Sequence, residues 1–579
     1  MPDKIESAIL QKSRSKLEEY KSQTYPPSLP QYDKWCEEAE RLGQLVFSQG
    51  IFDYAQTVLP MPMAIKDAAL AEAVQIIDWV EGWLRNQAKI FADLEVWKLE
   101  SGNPPVFTTL GEYAQDFFSF FPIPDIVETW QDDRVFGSQR LAGLNPLALN
   151  HVTEDGNWNS LSQKLSPTIK NAEFNGQKLD GLLSAGRLYV TDYVALQGVI
   201  PPEYKGKPQY QMAPIALYVR PEDFPGLLPI AIQLTQDPAD SFVFLAPQKL
   251  DPDYSWLMAK TFLQCADANQ NQAINHLALT HLVEEAFALA THRQLAWQHP
   301  LFLLLDKHFT ALMVINQLGS QTLFNSGGLI DAVLQVRMSG GLQLIQNAYK
   351  AWTFDDMGLP AQLRGRGVED SEQLPYYPYR DDGLIIWNRL GEYIKEYLGL
   401  YYQNDGDVVG DYELQGWAQQ LSGALGEGKV AGFPANIKTL DHLCDIVQRI
   451  IWTAGPQHAA VNFPQTDYTN FVPNQPGSMG FPAEGNVTES MLVGLLPDTA
   501  ATAKQVQTSY ALAAYHYDQL LDYHFTADDA EKVVRKYHQL LIDADQQIIL
   551  ARNQERAKTR GLLVYPYFLP ENIPNSTSV

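Results

Sequence analysis

Residues 272–316, QAINHLALTHLVEEAFALATHRQLAWQHPLFLLLDKHFTALMVIN, hold five of the chain's eleven histidines: His276, His281, His292, His299 and His308. They sit in long apolar runs of helical period, so the stretch is predicted to be a buried helix, and histidines crowded into such a helix suggest a metal. On a regular α-helix, at about 100° and roughly 1.5 Å per residue, His276 and His281 lie about 140° apart, too far around for one ion. A local π-type widening, of the kind found at functional sites, would swing both onto one face. His292 returns to the azimuth of His281 but lies about 16 Å along the axis. His299 precedes Pro300, which biases it toward a helix boundary, and His308 is a further turn or more away. On spacing alone His276 with His281 is the best candidate pair, and hydrogen-bonded core histidines are the alternative.

A second stretch, WTAGPQHAAVNF (Trp452 to Phe463), places His458 and Asn462 at i and i+4 on one helical face. Alone, such a pair reads as a hydrogen-bonded surface couple. Joined to the first stretch it adds a third imidazole and an amide oxygen. The three cysteines, Cys36, Cys265 and Cys444, are too scattered for a thiolate site. Nitrogen and oxygen ligands without sulfur favour non-haem iron, manganese or zinc over an iron–sulfur cluster.

HLALTHLVEEAFALATHRQL followed by HPLFLLLDKH resembles the signature of lipoxygenases, and HAAVNF resembles that family's second metal-ligand helix. The final NIPNSTSV is similar to the family's terminal segment, whose free carboxylate is itself an iron ligand. WQDDRVFGSQRLAGLNP (Trp130 to Pro146), LRGRGVED (Leu363 to Asp370), YPYRDDGLIIWNRL (Tyr377 to Leu390) and DYELQGW (Asp411 to Trp417) resemble further family segments, in the expected order. The likeness runs from about residue 110 to the end. It implies one iron held by His276, His281, His458, Asn462 and the terminal carboxylate of Val579. The family most often ends in isoleucine; a carboxylate ligand is indifferent to that change. Gln272 and Gln465 match family glutamines that hydrogen-bond to the ligands, a contact that orients ligands and tunes the metal. Gly319 matches the position where lipoxygenases carry alanine or glycine, glycine going with R-configured products, and Leu323 matches a leucine that packs on the pentadiene. Ser320 departs from the family's usual arginine.

The resemblance implies a mainly α fold: a helical catalytic domain over residues 106–579, with a small antiparallel β-rich insertion at about 181–250. RLYVTDYVAL, PIALYVR, LPIAIQL and SFVFLAP, separated by Pro, Gly and Asp turns, read as its strands. Residues 1–105 read as a helical extension in place of the membrane-docking β-barrel of many eukaryotic relatives. In it Leu70, Val74, Ile77 and Val80 form an apolar stripe, and Trp79 with Trp83 a narrower one, read first as burial between two neighbouring elements and alternatively as a surface that meets a membrane. Downstream, Leu384, Trp387, Leu390, Ile394, Leu398 and Tyr401 mark an amphipathic helix, and Thr526 with Asp529 a capping pair.

A net charge of −26 argues against nucleic acid and against adhesion to anionic lipid. No apolar run reaches bilayer length and the N-terminus lacks a secretory core, so a cytoplasmic monomer, at most peripheral at a membrane, is expected. GALGEGKV (Gly423 to Val430) lacks the hydroxyl a phosphate loop needs after its lysine and reads as a turn. The expected activity is dioxygenation of polyunsaturated fatty acids of linoleate type by molecular oxygen, R-specific at carbon 9 or 11. The rivals are a hydroperoxide isomerase on the same scaffold and a noncatalytic lipid-binding protein.

Overall fold

Period-two alternation in the β-rich stretch sends neighbouring side chains to opposite faces, and both faces find cover. In the computed structural model, five antiparallel strands follow one another across a sheet: β1 (Leu149–His151), β2 (Leu188–Asp192), β3 (Ile215–Val219), β4 (Leu228–Gln233) and β5 (Val243–Leu245). Val190 pairs with Leu217, and Ala216 with Ile232. Tyr189, Ala216, Tyr218 and Ile232 face the main core, while Val190, Ile215, Leu217 and Ala231 face a second, smaller one. β2 to β5 are the four strands expected from the sequence. β1 lies outside the expected span, and LNH carries no β-branched residue that would signal it.

The structure describes residues 107–115, 123–174, 176–247, 253–323, 328–425, 430–513 and 518–577. The expected helical extension with Trp79 and Trp83, and Val579, lie outside these residues. Among the described residues no helix is long and apolar enough to cross a membrane.

Helices make up most of the rest. α1 (Asp133–Ala142) abuts the sheet so closely that a Cβ on Gly137 would strike the Leu227 carbonyl. α2 (Tyr254–Gln270), capped by Asp253, runs without a break through a π segment (Asn271–Leu282) into α3 (Val283–Gln294). α4 (Leu312–Thr322) packs back on that π segment, as does α5 (Arg337–Ala351). α6 (Gly383–Gly399) buries Leu390, Ile394 and Leu398 along α7 (Leu440–Trp452), as the apolar stripe requires, whereas Tyr401 falls past its end and is exposed. α7 continues through a second π segment (Thr453–Gln457) into α8 (His458–Asn462). α9 (Thr499–Ala513) and α10 (Asp528–Leu540) follow. The expected Thr526–Asp529 cap does not form. Ala527 is the N-cap residue and makes no side-chain cap bond, and Glu531 turns back instead to accept the Phe525 amide N–H at 2.7 Å.

A buried polar network fixes α1 and the sheet against the continuous helical run from α2 through the π segment. Asp267 on α2 meets Arg140 at 3.0 Å and accepts from Tyr193 Oη at 2.6 Å, Asn145 Nδ2 at 3.0 Å and Gln475 Nε2 at 3.0 Å. Asn275, next to His276, donates to Asn145 at 2.7 Å. A buried carboxylate without these partners would be strongly destabilising; with them it sets one arrangement of the segments around the rod.

Candidate metal centre

α2, its π segment and α3 form one continuous rod, and α7, its π segment and α8 a second; these two π segments lie where the rods meet, while a third π turn, Leu541–Asp545, lies elsewhere in the chain. A π turn closes with i to i+5 hydrogen bonds, so residues five apart stack on one face instead of diverging. His276 and His281 are five apart inside the first π segment, which removes the obstacle that a regular helix presents. The second π segment, around Gly455 and Pro456, ends immediately before His458. Proline has no amide hydrogen to give an α-helix, which favours a widened turn there. Asn271 Nδ2 donates to the Val461 carbonyl at 2.9 Å, and Gln457 Nε2 to the Leu279 carbonyl at 3.4 Å, so the rods are tied on both sides of the crossing.

At the crossing the Nε2 atoms of three buried imidazoles converge: His276 to His281 at 3.2 Å, His281 to His458 at 3.1 Å and His276 to His458 at 3.3 Å. His281 Nδ1 faces Asn316 Oδ1 at 2.8 Å, and Asn316 Nδ2 donates to the His281 carbonyl at 3.0 Å, which fixes the orientation of that amide. His276 Nδ1 faces Gln272 Oε1 at 3.2 Å. A carbonyl oxygen only accepts, so in both rings the proton sits on Nδ1 and the Nε2 lone pair points at the common centre. Burial holds His281 down to about 4, and burial together with the neighbouring His281 holds His276 well below the usual histidine value, so both rings are neutral. A cation with bonds of about 2.1 Å at right angles puts its nitrogen ligands about 3.0 Å apart, close to the spacing seen. The three residues fit a metal ion.

Asn462 lies one turn past His458, and both are fully buried. Its Nδ2 donates to the Leu512 carbonyl at 2.7 Å, and its Oδ1 accepts from Gln465 Nε2 at 2.5 Å. Asn316, thirty-five residues from His281, is a site residue that no periodicity marked. It also bonds the buried carboxyl of Glu285, which burial pushes up to about 7. A narrow cavity of about 30 Å³, lined in part by Gln272, Gln465, Ile330, Leu334 and Thr508, adjoins the centre and has room for molecules of water's size.

The other histidines of the opening stretch go elsewhere. His292 pairs with Asp306 at 3.1 Å. His299 is the N-cap residue of the helix that Pro300 begins, its Nδ1 accepting from the Leu301 amide at 3.1 Å, which agrees with the boundary read from its proline. His308 is fully buried and holds the C-terminal tail, its Nδ1 2.8 Å from the Asn575 carbonyl. That tail is tucked inward: Ile573, Asn575, Ser576 and Thr577 are all buried, and a Cβ on Gly455 would come within 2.6 Å of the Pro574 carbonyl. The described residues stop two short of Val579. On α4, a Cβ added to Gly319 would meet, among the described residues, a single neighbour, Leu323 Cδ1 at 3.7 Å, so they leave open space beside that glycine.

Residues 39–560 match the family model described as Lipoxygenase. The chain belongs to the lipoxygenase family. It is 34% identical over 491 residues to the linoleate 9/13-lipoxygenase of Pseudomonas aeruginosa, an alignment covering 80% of this chain and 69% of that protein. It is 31% identical to the allene oxide synthase-lipoxygenase protein of Plexaura homomalla, covering 79% of this chain and 44% of that longer one. Among solved structures, a calcium-dependent 11R-lipoxygenase superposes with a TM-score of 0.74 at 28% identity, covering 84% of this chain and 72% of that one. The mainly helical lipoxygenase fold with its small antiparallel sheet is what the sequence implied.

Proposed function

We propose that this lipoxygenase is a non-haem iron dioxygenase of polyunsaturated fatty acids, forming R-configured hydroperoxides of linoleate-type chains at carbon 9 or 11. The observation that carries the reading is the meeting of three imidazole Nε2 atoms at one buried point. His276, His281 and His458 would hold the iron, joined by Asn462 and the terminal carboxylate of Val579. Neutral imidazoles, an amide and one carboxylate keep the net charge moderate in either oxidation state. When bound, the iron supplies one-electron redox chemistry, by which the doubly allylic CH₂ of a 1,4-pentadiene loses a hydrogen atom and the carbon radical takes up dioxygen. The chain's own part is to orient and to exclude water. Gln272 and Asn316 keep the rings in the ligating tautomer. Gln465 steers the Asn462 amide. Leu323 packs beside the diene, and the open space at Gly319 admits dioxygen to the end of the radical that a methyl would cover. The R assignment is also in keeping with an 11R-lipoxygenase among the solved structures and 12R-type lipoxygenases of mouse and rat among the relatives.

An oxygen electrode with linoleate, followed by chiral chromatography and mass spectrometry of the product, tests the proposal. Uptake of one O₂ per linoleate with an R hydroperoxide is expected. Consumption of added hydroperoxide with no oxygen uptake would instead identify an isomerase, the activity named for a relative in rat. Inertness toward both, with iron bound, would leave a lipid-binding protein.

A further inference from the structure

The tail is gripped most fully at Asn575, and every polar group of that residue is used. Asn575 donates its backbone N–H to Asp518 Oδ1 at 3.1 Å and its side-chain Nδ2 to Asp518 Oδ2 and the Gln519 carbonyl, both at 2.8 Å. Its Oδ1 accepts the Leu521 amide at 2.8 Å, and its carbonyl accepts from His308 Nδ1 at 2.8 Å. The socket is shaped in advance. Leu521 adopts φ +63°, a left-handed conformation that leucine rarely takes, and the amide it presents to Asn575 belongs to that residue. His308 is in turn fixed by Tyr523 Oη at 3.2 Å, and Tyr523 by Tyr393 Oη at 3.0 Å. With Nδ1 donating to a carbonyl, His308 Nε2 accepts from the tyrosine, so the ring has one orientation. Past the socket, Ser576 Oγ donates to the Thr310 carbonyl at 2.8 Å and Thr577 is fully buried. Gly455, in the π segment that leads into His458, leaves the room through which Pro574 passes.

We propose that His308, Asp518 and Tyr523 are positioning residues that lock Asn575 in a socket and so aim the last residues of the chain at the three imidazoles. None of the three touches the ion; they act through the tail. The inference rests on the reading of the Val579 carboxylate as a ligand. It assigns a purpose to a histidine in the metal-bearing stretch that the cage itself leaves unused.

The test uses the full-length protein, stripped of metal and reloaded with Fe(II). In His308→Ala, amide hydrogen exchange at residues 576–579 of the metal-free protein should quicken at least tenfold while exchange in α2 and α3 stays unchanged. Iron affinity should fall at least tenfold, and, once the iron is oxidised with a fatty-acid hydroperoxide, the ferric electron paramagnetic resonance line shape should change. His308→Gln, whose amide N–H can still donate to Asn575, should restore all three. Should His308→Ala not fold, Asn575→Ser loses two of the side-chain bonds and carries the same expectations. Unchanged tail exchange in the variant that folds overturns the socket. A loosened tail with unchanged iron affinity and line shape overturns its positioning role. Deleting Val579 separates the two readings: if iron affinity survives that deletion, the ligand assignment has failed, while the exchange result still judges the socket.

Discussion

Gly319→Ala tests stereochemistry and packing with a single methyl. The added Cβ would stand 3.7 Å from Leu323 Cδ1, an ordinary van der Waals distance, with no other atom of the described residues within 4 Å. Position 319 is interior to α4, where alanine is favoured over glycine by about 1 kcal/mol. The substitution should therefore stabilise the fold slightly. Unfolding entropy of about 2 cal/mol/K per residue turns that gain into a rise in Tm of about 1 °C or less for a chain of this size. The same methyl should act strongly on product. Turning a tenfold preference for R into a tenfold preference for S takes about 2.7 kcal/mol between the two paths, and forcing a methyl against an occupied approach path is worth about 1–3 kcal/mol. Chiral chromatography should show a shift toward S, or toward the other end of the pentadiene. Two other helical glycines serve as contrasts: a Cβ at Gly340 would collide with the Val199 carbonyl, and one at Gly455 would lie 2.6 Å from the Pro574 carbonyl. Alanine at either should lower Tm. An unchanged product from a folded Gly319→Ala enzyme would refute the placement of this glycine beside the radical, and a clear loss of stability would refute the open space.

Asn316→Ala removes the acceptor for His281 Nδ1 and should weaken metal binding about 10- to 100-fold by chelator competition; Asn316→Asp keeps an acceptor and should lose much less, so equal losses would count against ring orientation as the cause. Removing the metal with a chelator should abolish oxygen uptake and lower Tm, and Fe(II) but not Zn(II) should restore turnover; recovery with zinc would sink the redox reading. Burial holds His308 down to about 4, below its unfolded value of about 6.5. The unfolded chain therefore binds more protons between those values, and stability falls as pH drops through that window, by up to about 3 kcal/mol. His308→Gln should show a shallower decline in urea midpoint between pH 6.5 and 4, and parallel declines would remove His308 as the source.

The sequence disclosed the site where local geometry was enough. Five-residue spacing of His276 and His281 demanded a widened helix, and the π segment supplies it. Short β-rich runs bounded by Pro, Gly and Asp turns marked β2 to β5, and an apolar stripe marked α6. Contacts between distant segments were not legible. Asn316 reaches His281 across thirty-five residues, and His308 reaches Asn575 across 267. Neither periodicity nor propensity encodes such pairings, which exist only once the rods have crossed. The second π segment did leave a trace: Gly455 and Pro456 inside an apolar helical run are helix-breaking residues that mark its place. The Thr526 cap failed because Glu531 offered the entering backbone a charged acceptor from within the helix.

The two widened turns put this protein's activity at odds with its own backbone. Were the first π segment to tighten to an ordinary α-helix at its present length, the backbone would gain a more regular hydrogen-bond ladder while His276 and His281 returned to about 140° apart. A variant that made this change could keep its helix, yet point its histidines past one another. Selection for expression or heat resistance alone would thus reward the loss of catalysis, and engineering of this scaffold should count residues through residues 271–282 and 453–457 before it counts anything else.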